Sequence, residues 1–502
     1  MSFWIGQVWR GRMSMLRSKQ DYLDSLKRMR PNVHKFGKRI EDVTTDPNTR
    51  RTVESHSKPF ELADTEGYSD IFTTISYLTG ERIMRFNSLM ETGEDLIANS
   101  RLKRTMYHLT GTCTGGLCVG WNAMNVMWGV TYDMDREKGT DYHGRLESWI
   151  IGAEKRGLVV SGALTDAKGD RSRKPSQQKN RDTNLHIRER REDGLIISGC
   201  KAMICGVAAS DEIFLLPGSD YGEEDKDFAL ACAVPRDAEG LTVVETRRPS
   251  DTRELENGFD TPVETGITQA HLLFDEVFVP TERIFMAGEH QYAGRVIDYF
   301  TANYRSCIGA CVAGQGDVMI GAAAMMARTN GLPSSTFRDK LVQMEVNNET
   351  TYGLGIGAIA MGKRHTAGTW YADPLLAHTN KVHVATLPYE TKRLCQEIGG
   401  GMVETGCFPS YEDLKSPEYG EKLLDMIQAN PGISSETRAR AARLSEWLTI
   451  GAGVPGCMHG GGSPDGAKLI IRTNTPIEEY VGYARRLAGI KEEVPEVERK
   501  KA

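Results

Sequence analysis

The chain has 502 residues, too many for one simple core, so two or three subdomains are expected. Hydrophobic residues at 39% and charged residues at 26% are ordinary globular values and set aside disordered or fibrous classes. The formal net charge of −6, with basic residues gathered only near Lys168–Arg181, excludes a polyanion-binding face and so nucleic acid; no apolar run of the roughly 18–20 residues that span a bilayer stands out, so no membrane is expected.

The opening "MSFWIGQVWRGRMSML" has an apolar patch too short for a secretory core and broken by Arg10 and Arg12. It reads as an extension over 1–17, with Met13 or Met15 as an alternative start. Ten cysteines without a leader pattern point to reduced thiols and a cytoplasmic location. For each of them a small buried hydrophobe is the default role.

Residues 18–152 read as mostly helical. "SDIFTTISYLTGERIMRFNSLMETGEDLIANSRLKRTMYHL" sets apolar residues every three to four positions and contains no proline. Residues 153–286 change character. "DGLIISGCKAMI", "DEIFLLPG", "DFALACAVP", "GLTVVET" and "AHLLFDEVFVP" are short β-type runs separated at hairpin spacing, which predicts a central antiparallel sheet or barrel. Residues 287–502 return to helix. "SSTFRDKLVQM" offers Ser334 or Ser335 as a cap and Phe337, Leu341 and Met344 as one stripe; "SSETRARAARLSEWLTI" repeats that logic. Helices, then strands, then helices, without βα alternation, argue against a doubly wound sheet and for an α+β chain.

"GQGDVMIG" at 314–321 looks like a dinucleotide fingerprint, but it follows a helical segment, so helix packing through small residues is the better reading. No HExxH, Walker A or GxSxG pattern occurs, which leaves hydrolase and P-loop readings without support. "SGALTDAKGDRSRKPSQQ" at 161–178 fits a solvated loop and a cofactor mouth lined by Thr165, Asp166, Asp170 and Arg171 alike. "CQEIGGGMVETG" at 395–406 and "GCMHGGGSPDG" at 456–466 end or follow helical runs with three glycines each. Each fits a helix cap or a close backbone approach to a pyrophosphate, the second with His459 beside it.

The helix–β–helix order and "LLFDEVFVP" resemble the acyl-CoA dehydrogenase-like flavoproteins. More narrowly, the chain resembles the branch that contains 4-hydroxybutyryl-CoA dehydratase and 4-hydroxyphenylacetate 3-hydroxylase. The likeness runs from about Ser18 to Lys491, and "FGKRIEDV", "TDAKGDR", "EDGLIISGCKA", "FDEVFVPTERIF" and "MHGGGSP" stand nearer to the dehydratase. The resemblance implies a homotetramer with FAD between the β domain and the helices. It places flavin contacts at Leu164, Thr165 and Asp166, at Asp170, Arg171, Ser172 and Arg173, and at Met203, Ile204, Cys205 and Gly206. It sets Gly400 and Gly401 where a neighbouring subunit's backbone approaches the flavin. Cys205 stands where such dehydratases carry threonine, and a thiol is the weaker donor.

The dehydratase holds a [4Fe–4S] cluster through Cys-x3-Cys on one helix and His-x6-Cys on another. Cys118 and Cys311 match two of these ligands, Tyr304 falls on the histidine, and Cys113–Cys118 is one residue too long. Residues four apart on a helix lie about 40° apart around its axis, and residues five apart about 140°. A π-bulge at Gly115–Gly116 would realign the first pair, and Cys307, four before Cys311, would complete an all-thiolate set of Cys113, Cys118, Cys307 and Cys311. The other reading is four buried thiols in a degenerated site. The family's active-site glutamates correspond to the Gly456–Cys457 region and to Gln269, which cannot act as a carboxylate base. Tyr304, Gln269 and His459 are the catalytic candidates.

Two enzyme readings follow, both with FAD. One is dehydration or double-bond isomerisation of a short hydroxyacyl- or enoyl-CoA, with an optional cluster. The alternative is a two-component monooxygenase that takes reduced flavin from a reductase and hydroxylates a small aromatic acid. A non-catalytic paralogue is the third possibility.

Overall fold

The computed structural model describes residues 16–113, 115–167, 169–247, 257–406, 408–450 and 462–495. Helices dominate up to Arg156, strands occupy most of 160–287, and helices return from Ala293.

Helix Gly93–Thr110 starts at a capping box in which Thr92 and Asp95 satisfy each other's backbone, and stops where Gly111 turns left-handed. A second helix, Gly115–Lys138, has hardly any polar face and is buried almost throughout. It lies against strand Val160–Ala163, and glycines make that approach feasible. A Cβ on Gly120 would meet the Val160 backbone, and one on Gly162 the Val119 backbone.

The β block holds two sheets. Six strands run in the order Lys38–Ile40, Val33–Lys35, Leu241–Glu245, Gln269–Pro280, Gly194–Cys205, His186–Arg190. Four run in the order Ile284–Ala287, Leu230–Pro235, Glu212–Leu215, Val160–Ala163. Most pairs are antiparallel, as expected, but Val33–Lys35 pairs parallel with Leu241–Glu245 and Val160–Ala163 with Glu212–Leu215. The first of these adds a strand pairing that the mostly helical reading of 18–152 did not include. "FGKRI" is the turn and return strand of a hairpin, with Phe36 and Gly37 left-handed, and the hairpin adds itself to a sheet two hundred residues away. Parallel pairs need long crossovers, which local spacing does not reveal.

Helix Ala293–Thr329 is the spine of the C-terminal block. It packs against Gly93–Thr110, Arg338–Ala360, Pro374–Val384, Leu387–Gly399 and Ser435–Thr449. It is also long and apolar enough to cross a membrane by composition, which corrects the expectation that no such run exists, but 72% of its most apolar stretch is buried inside the protein. "GQGDVMIG" serves helix packing: Gly314 faces Arg104 and Tyr107, and Gly316 faces Asn348. Asp317 fixes the register, accepting from Arg104 at 2.7 and 2.8 Å and bonding His108 at 2.6 Å.

One apolar core joins the N-terminal helices to both sheets, and a second surrounds the long helix.

Candidate functional site

The candidate site lies where these two cores meet. Tyr304 packs against both. Tyr107, Cys113, Ile267, Ile308 and Cys311 share the second core, with half-buried Cys205 against them.

Its β side begins with a buried ion pair. Lys201 Nζ reaches Asp166 Oδ1 at 2.8 Å and donates to the Leu164 and Leu216 carbonyls, each at 2.8 Å. Ala202 N donates to Thr165 O at 2.8 Å. Leu164, Thr165 and Asp166 are therefore held at the end of strand Val160–Ala163 by the strand that carries Met203, Ile204 and Cys205. Met203 is left-handed (φ 58°) and 49% exposed, an apolar side chain presented outward by backbone that L-residues seldom adopt. Ile204 is buried, and Gly206 is left-handed, with N–H donating to Thr268 O at 2.9 Å.

Gln269 is the register partner of Cys205, and its amide Nε2 donates to Cys205 Sγ at 3.3 Å. The start of helix Gly115–Lys138 presses on the same strand end. A Cβ on Gly116 would come within 2.7 Å of Cys205 O, and one on Gly115 would overlap Ile267. His56 closes the far side. It is fully buried, bonds Thr52 O through Nδ1 at 2.8 Å, and burial pushes its pKa down to about 4.

Asp170, Arg171, Ser172 and Arg173 sit apart from this centre in an exposed turn. Asp170 accepts from Ser172 N at 3.0 Å and Ser172 Oγ at 2.7 Å, and Arg173 pairs with it at 3.2 Å. The Ser172 bonds hold the Asp170 carboxyl below its usual pKa. Gly400 is left-handed between helices Leu387–Gly399 and Gly401–Glu404, and a Cβ on Gly400 or Gly401 would meet nothing within 4 Å. His459 and the Gly456–Cys457 region lie outside the described residues. The chain resumes at Gly462, where an added Cβ would sit 3.0 Å from Arg305 Nη2, one residue past Tyr304.

The four cysteines do not gather as an all-thiolate set. Helix Gly93–Thr110 ends and Gly115–Lys138 begins, so Cys113 lies in the break and not on a bulged helix. It joins Cys311 in the second core. Cys118 turns toward its own helix, with Sγ 3.2 Å from Gly115 O. Cys307 packs in the first core, its Sγ 3.8 Å from Leu96 O on the neighbouring helix. Among the described residues, no three His, Cys, Asp or Glu side chains are grouped to hold a metal ion.

Two groups escaped the sequence reading. Lys103 is 2% exposed, with Nζ 5.4 Å from the centre of the Tyr304 ring, which stacks on Phe300 at 5.5 Å. Arg305 is buried, and desolvation lowers its pKa to about 10. The signal for Lys103 was its place among Leu96, Met106 and Tyr107, on the buried side of an otherwise amphipathic helix.

Comparison with known proteins places this arrangement. The 4-hydroxyphenylacetate 3-hydroxylase N-terminal model matches residues 18–286 and the C-terminal model residues 293–489. The chain belongs to the 4-hydroxyphenylacetate 3-hydroxylase family.

Within that family it is 36% identical over 493 residues to the 4-hydroxybutyryl-CoA dehydratase/vinylacetyl-CoA-Δ-isomerase of Clostridium aminobutyricum, covering 95% of this chain and all of that one. The oxygen-tolerant archaeal 4-hydroxybutyryl-CoA dehydratase of N. maritimus superposes with a TM-score of 0.92 at 35% identity, over 97% and 98% of the two chains. The 4-hydroxyphenylacetate 3-monooxygenase oxygenase component of Thermus thermophilus is 23% identical over 87% of this chain and 89% of its own. A solved oxygenase component in complex with FAD and 4-hydroxyphenylacetate shares the fold, with a TM-score of 0.83 at 20% identity over 94% and 98%. The characterised members of the family named here are enzymes.

Proposed function

We propose that this chain is a flavin-dependent dehydratase or isomerase of a short hydroxyacyl- or enoyl-CoA. The observation that carries the reading is its 36% identity to the Clostridium dehydratase over nearly all of both chains, twofold coverage the monooxygenases do not match at that identity. FAD is the cofactor the site suits. Exposed Met203, the Lys201-pinned Leu164–Asp166 segment and the polar Gln269–Cys205 pair together offer an apolar platform with polar groups at one end. The exposed Asp170–Arg173 turn would meet its phosphates, and the open Gly400–Gly401 backbone would meet the flavin of a neighbouring subunit in a homotetramer. When bound, the flavin would supply the transient one-electron chemistry that labilises an unactivated C–H bond.

This chain's own groups would handle charge and protons. Gln269 is neutral. It orients the Cys205 thiol and can donate to a substrate oxygen, but cannot take a proton as a carboxylate does. Tyr304, half-buried with the Lys103 ammonium over its ring, is the proton carrier on the helical side. The Lys103 amine, 5.4 Å from the centre of the Tyr304 ring, is a hydrogen-bond donor on that side of the site. His459 enters from its motif alone. An iron–sulfur cluster has no ligand set among the described residues, so no step is routed through one. Reduced thiols and a cytoplasmic location belong to the same proposal.

The second reading, a reduced-flavin monooxygenase of a small aromatic acid with a separate reductase, is favoured by one observation: the side chain beside Cys205 is the neutral amide of Gln269, and oxygen activation by flavin needs neither a carboxylate base there nor a metal. The deciding experiment incubates anaerobically purified, FAD-loaded protein with 4-hydroxybutyryl-CoA, and separately with reduced flavin, oxygen and 4-hydroxyphenylacetate. Enoyl-CoA formation without oxygen supports the first reading; hydroxylation alone replaces it with the second.

A further inference from the structure

Behind the Cys205–Gln269 pair lies a run of buried polar groups that the proton handling above does not use. It joins helix Arg50–Leu62, Thr268 (the residue before Gln269) and the end of strand Leu241–Glu245. Thr268 N donates to Thr52 Oγ1 at 3.0 Å. Thr52 Oγ1 donates to Thr268 Oγ1 at 3.2 Å, and Thr268 Oγ1 donates to Glu245 Oε1 at 3.1 Å. Thr52, Thr268 and Glu245 are all buried.

The run has one direction. An ionised carboxylate only accepts, and a hydroxyl has a single proton to give. The Thr268 proton therefore goes to Glu245 and the Thr52 proton to Thr268, which leaves a Thr52 lone pair for the Thr268 N–H. Removal of the Thr268 hydroxyl takes a donor from Glu245 and an acceptor from Thr52 at once, in a place where water does not replace them.

The same run ties down both strand ends. Thr268 O accepts from Gly206 N at 2.9 Å, and Gly266 N donates to Arg51 O at 3.2 Å. Thr246 donates to Gln269 O from its N at 2.8 Å and from its hydroxyl at 3.0 Å. His56, one turn on from Thr52, braces the left-handed Gly206, where a Cβ would come within 2.8 Å of its Nε2. Cys205 and Gln269 project from these tied ends, and their 3.3 Å bond survives only while the two ends keep their relative position.

We infer that Thr268, oriented by Glu245 and held by Thr52, is the positioning residue for the Cys205–Gln269 pair. It acts through those two side chains and not on flavin or substrate. The inference rests on the flavin reading of that site.

The test compares the parent protein with Thr268→Val, Thr268→Ser and Glu245→Gln. Amide hydrogen exchange is measured in flavin-free protein on the peptides that contain Gly206 and Thr268, and the FAD dissociation constant and absorption spectrum are measured on reloading. Thr268→Val keeps the shape of the side chain and loses the hydroxyl. It is expected to speed exchange at both amides and to raise the FAD dissociation constant, each roughly ten-fold, and to shift the flavin absorption. Thr268→Ser restores the hydroxyl and is expected to return all three toward the parent. Glu245→Gln is expected to move them in the same direction as Thr268→Val, and it serves for the comparison if Thr268→Val does not fold. In a Gln269→Leu background, Thr268→Val is expected to change FAD binding less than about two-fold further, since the side chain it works through is gone. A Thr268→Val protein that melts earlier with FAD binding and spectrum unchanged, or that adds its full effect to Gln269→Leu, has lost only a structural threonine and overturns the inference. If the parent takes up no FAD, the flavin reading falls by itself. Exchange at Gly206 and Thr268 then decides: acceleration reversed by serine upholds the positioning role, and unchanged exchange overturns it.

Discussion

The Gln269 side-chain amide donates to the Cys205 thiol at 3.3 Å, across a register pair at the ends of two interior strands of the six-stranded sheet. A carboxylate in that position would be a base; an amide is a fixed donor. Replacing Gln269 with Leu removes the donor and is expected to cost about 1 kcal/mol of stability. It should also alter the absorbance of bound flavin. Gln269→Glu restores a carboxylate, so activity should then rise with pH through the carboxylate range, a limb the parent protein lacks. Matched pH–rate profiles of the two proteins check this.

Asp166 and Lys201 form an ion pair whose side chains are 8% and 2% exposed. Asp166→Asn leaves the ammonium buried against neutral partners. A loss of about 3–5 kcal/mol is expected, measured as a shift in the denaturation midpoint, together with weaker flavin retention because Leu164–Asp166 loses its anchor.

Burial holds His56 neutral in the folded protein, its pKa lowered from the ordinary 6.5 to about 4. A histidine with a depressed folded pKa binds its proton more readily in the unfolded chain. Stability is therefore full above about pH 6.5 and falls as pH drops toward 4. Between pH 7 and pH 5 this one group accounts for about 2 kcal/mol. His378, lowered to about 4 by burial and by Arg305, acts with the same sign. His56→Gln should flatten the pH dependence of the unfolding free energy by the His56 share, read from denaturation at pH 5 and pH 7.

Gly116 touches Cys205 O and the Ser161 hydroxyl so closely that a methyl group has no room. Gly116→Ala is expected to cost about 1–3 kcal/mol through overpacking. It should also displace the Cys205 strand end, so that flavin binding weakens together with stability. Gly144, open on all sides, is the control: Gly144→Ala should leave both unchanged.

Cys307 belongs to the first core, its Sγ 3.8 Å from Leu96 O, whereas Cys113 and Cys311 belong to the second. Cys307→Ser is expected to leave iron content and the flavin spectrum as they are. Iron and acid-labile sulfide assays on anaerobically purified parent and variant check it. Stoichiometric iron lost in Cys307→Ser would restore the all-thiolate site.

The order of helices, strands and helices was legible because each element announces its own period: three to four residues for helix, two for strand, with Gly, Pro and Asp between. The packing glycines of "GQGDVMIG" were legible because small residues matter where backbones must meet. The fate of the cysteines was not. Spacing along one helix treats Cys113 and Cys118 as neighbours on a continuous cylinder, but Gly111 ends that cylinder, and Ile267, some 150 residues away, decides where the next one starts. Nor could spacing show that Lys103 would be buried over Tyr304 or that the Val33–Lys35 strand would pair with Leu241–Glu245. Such contacts join residues far apart in the chain. Local periodicity selects the elements, and only the packing of those elements selects which side chains share a site.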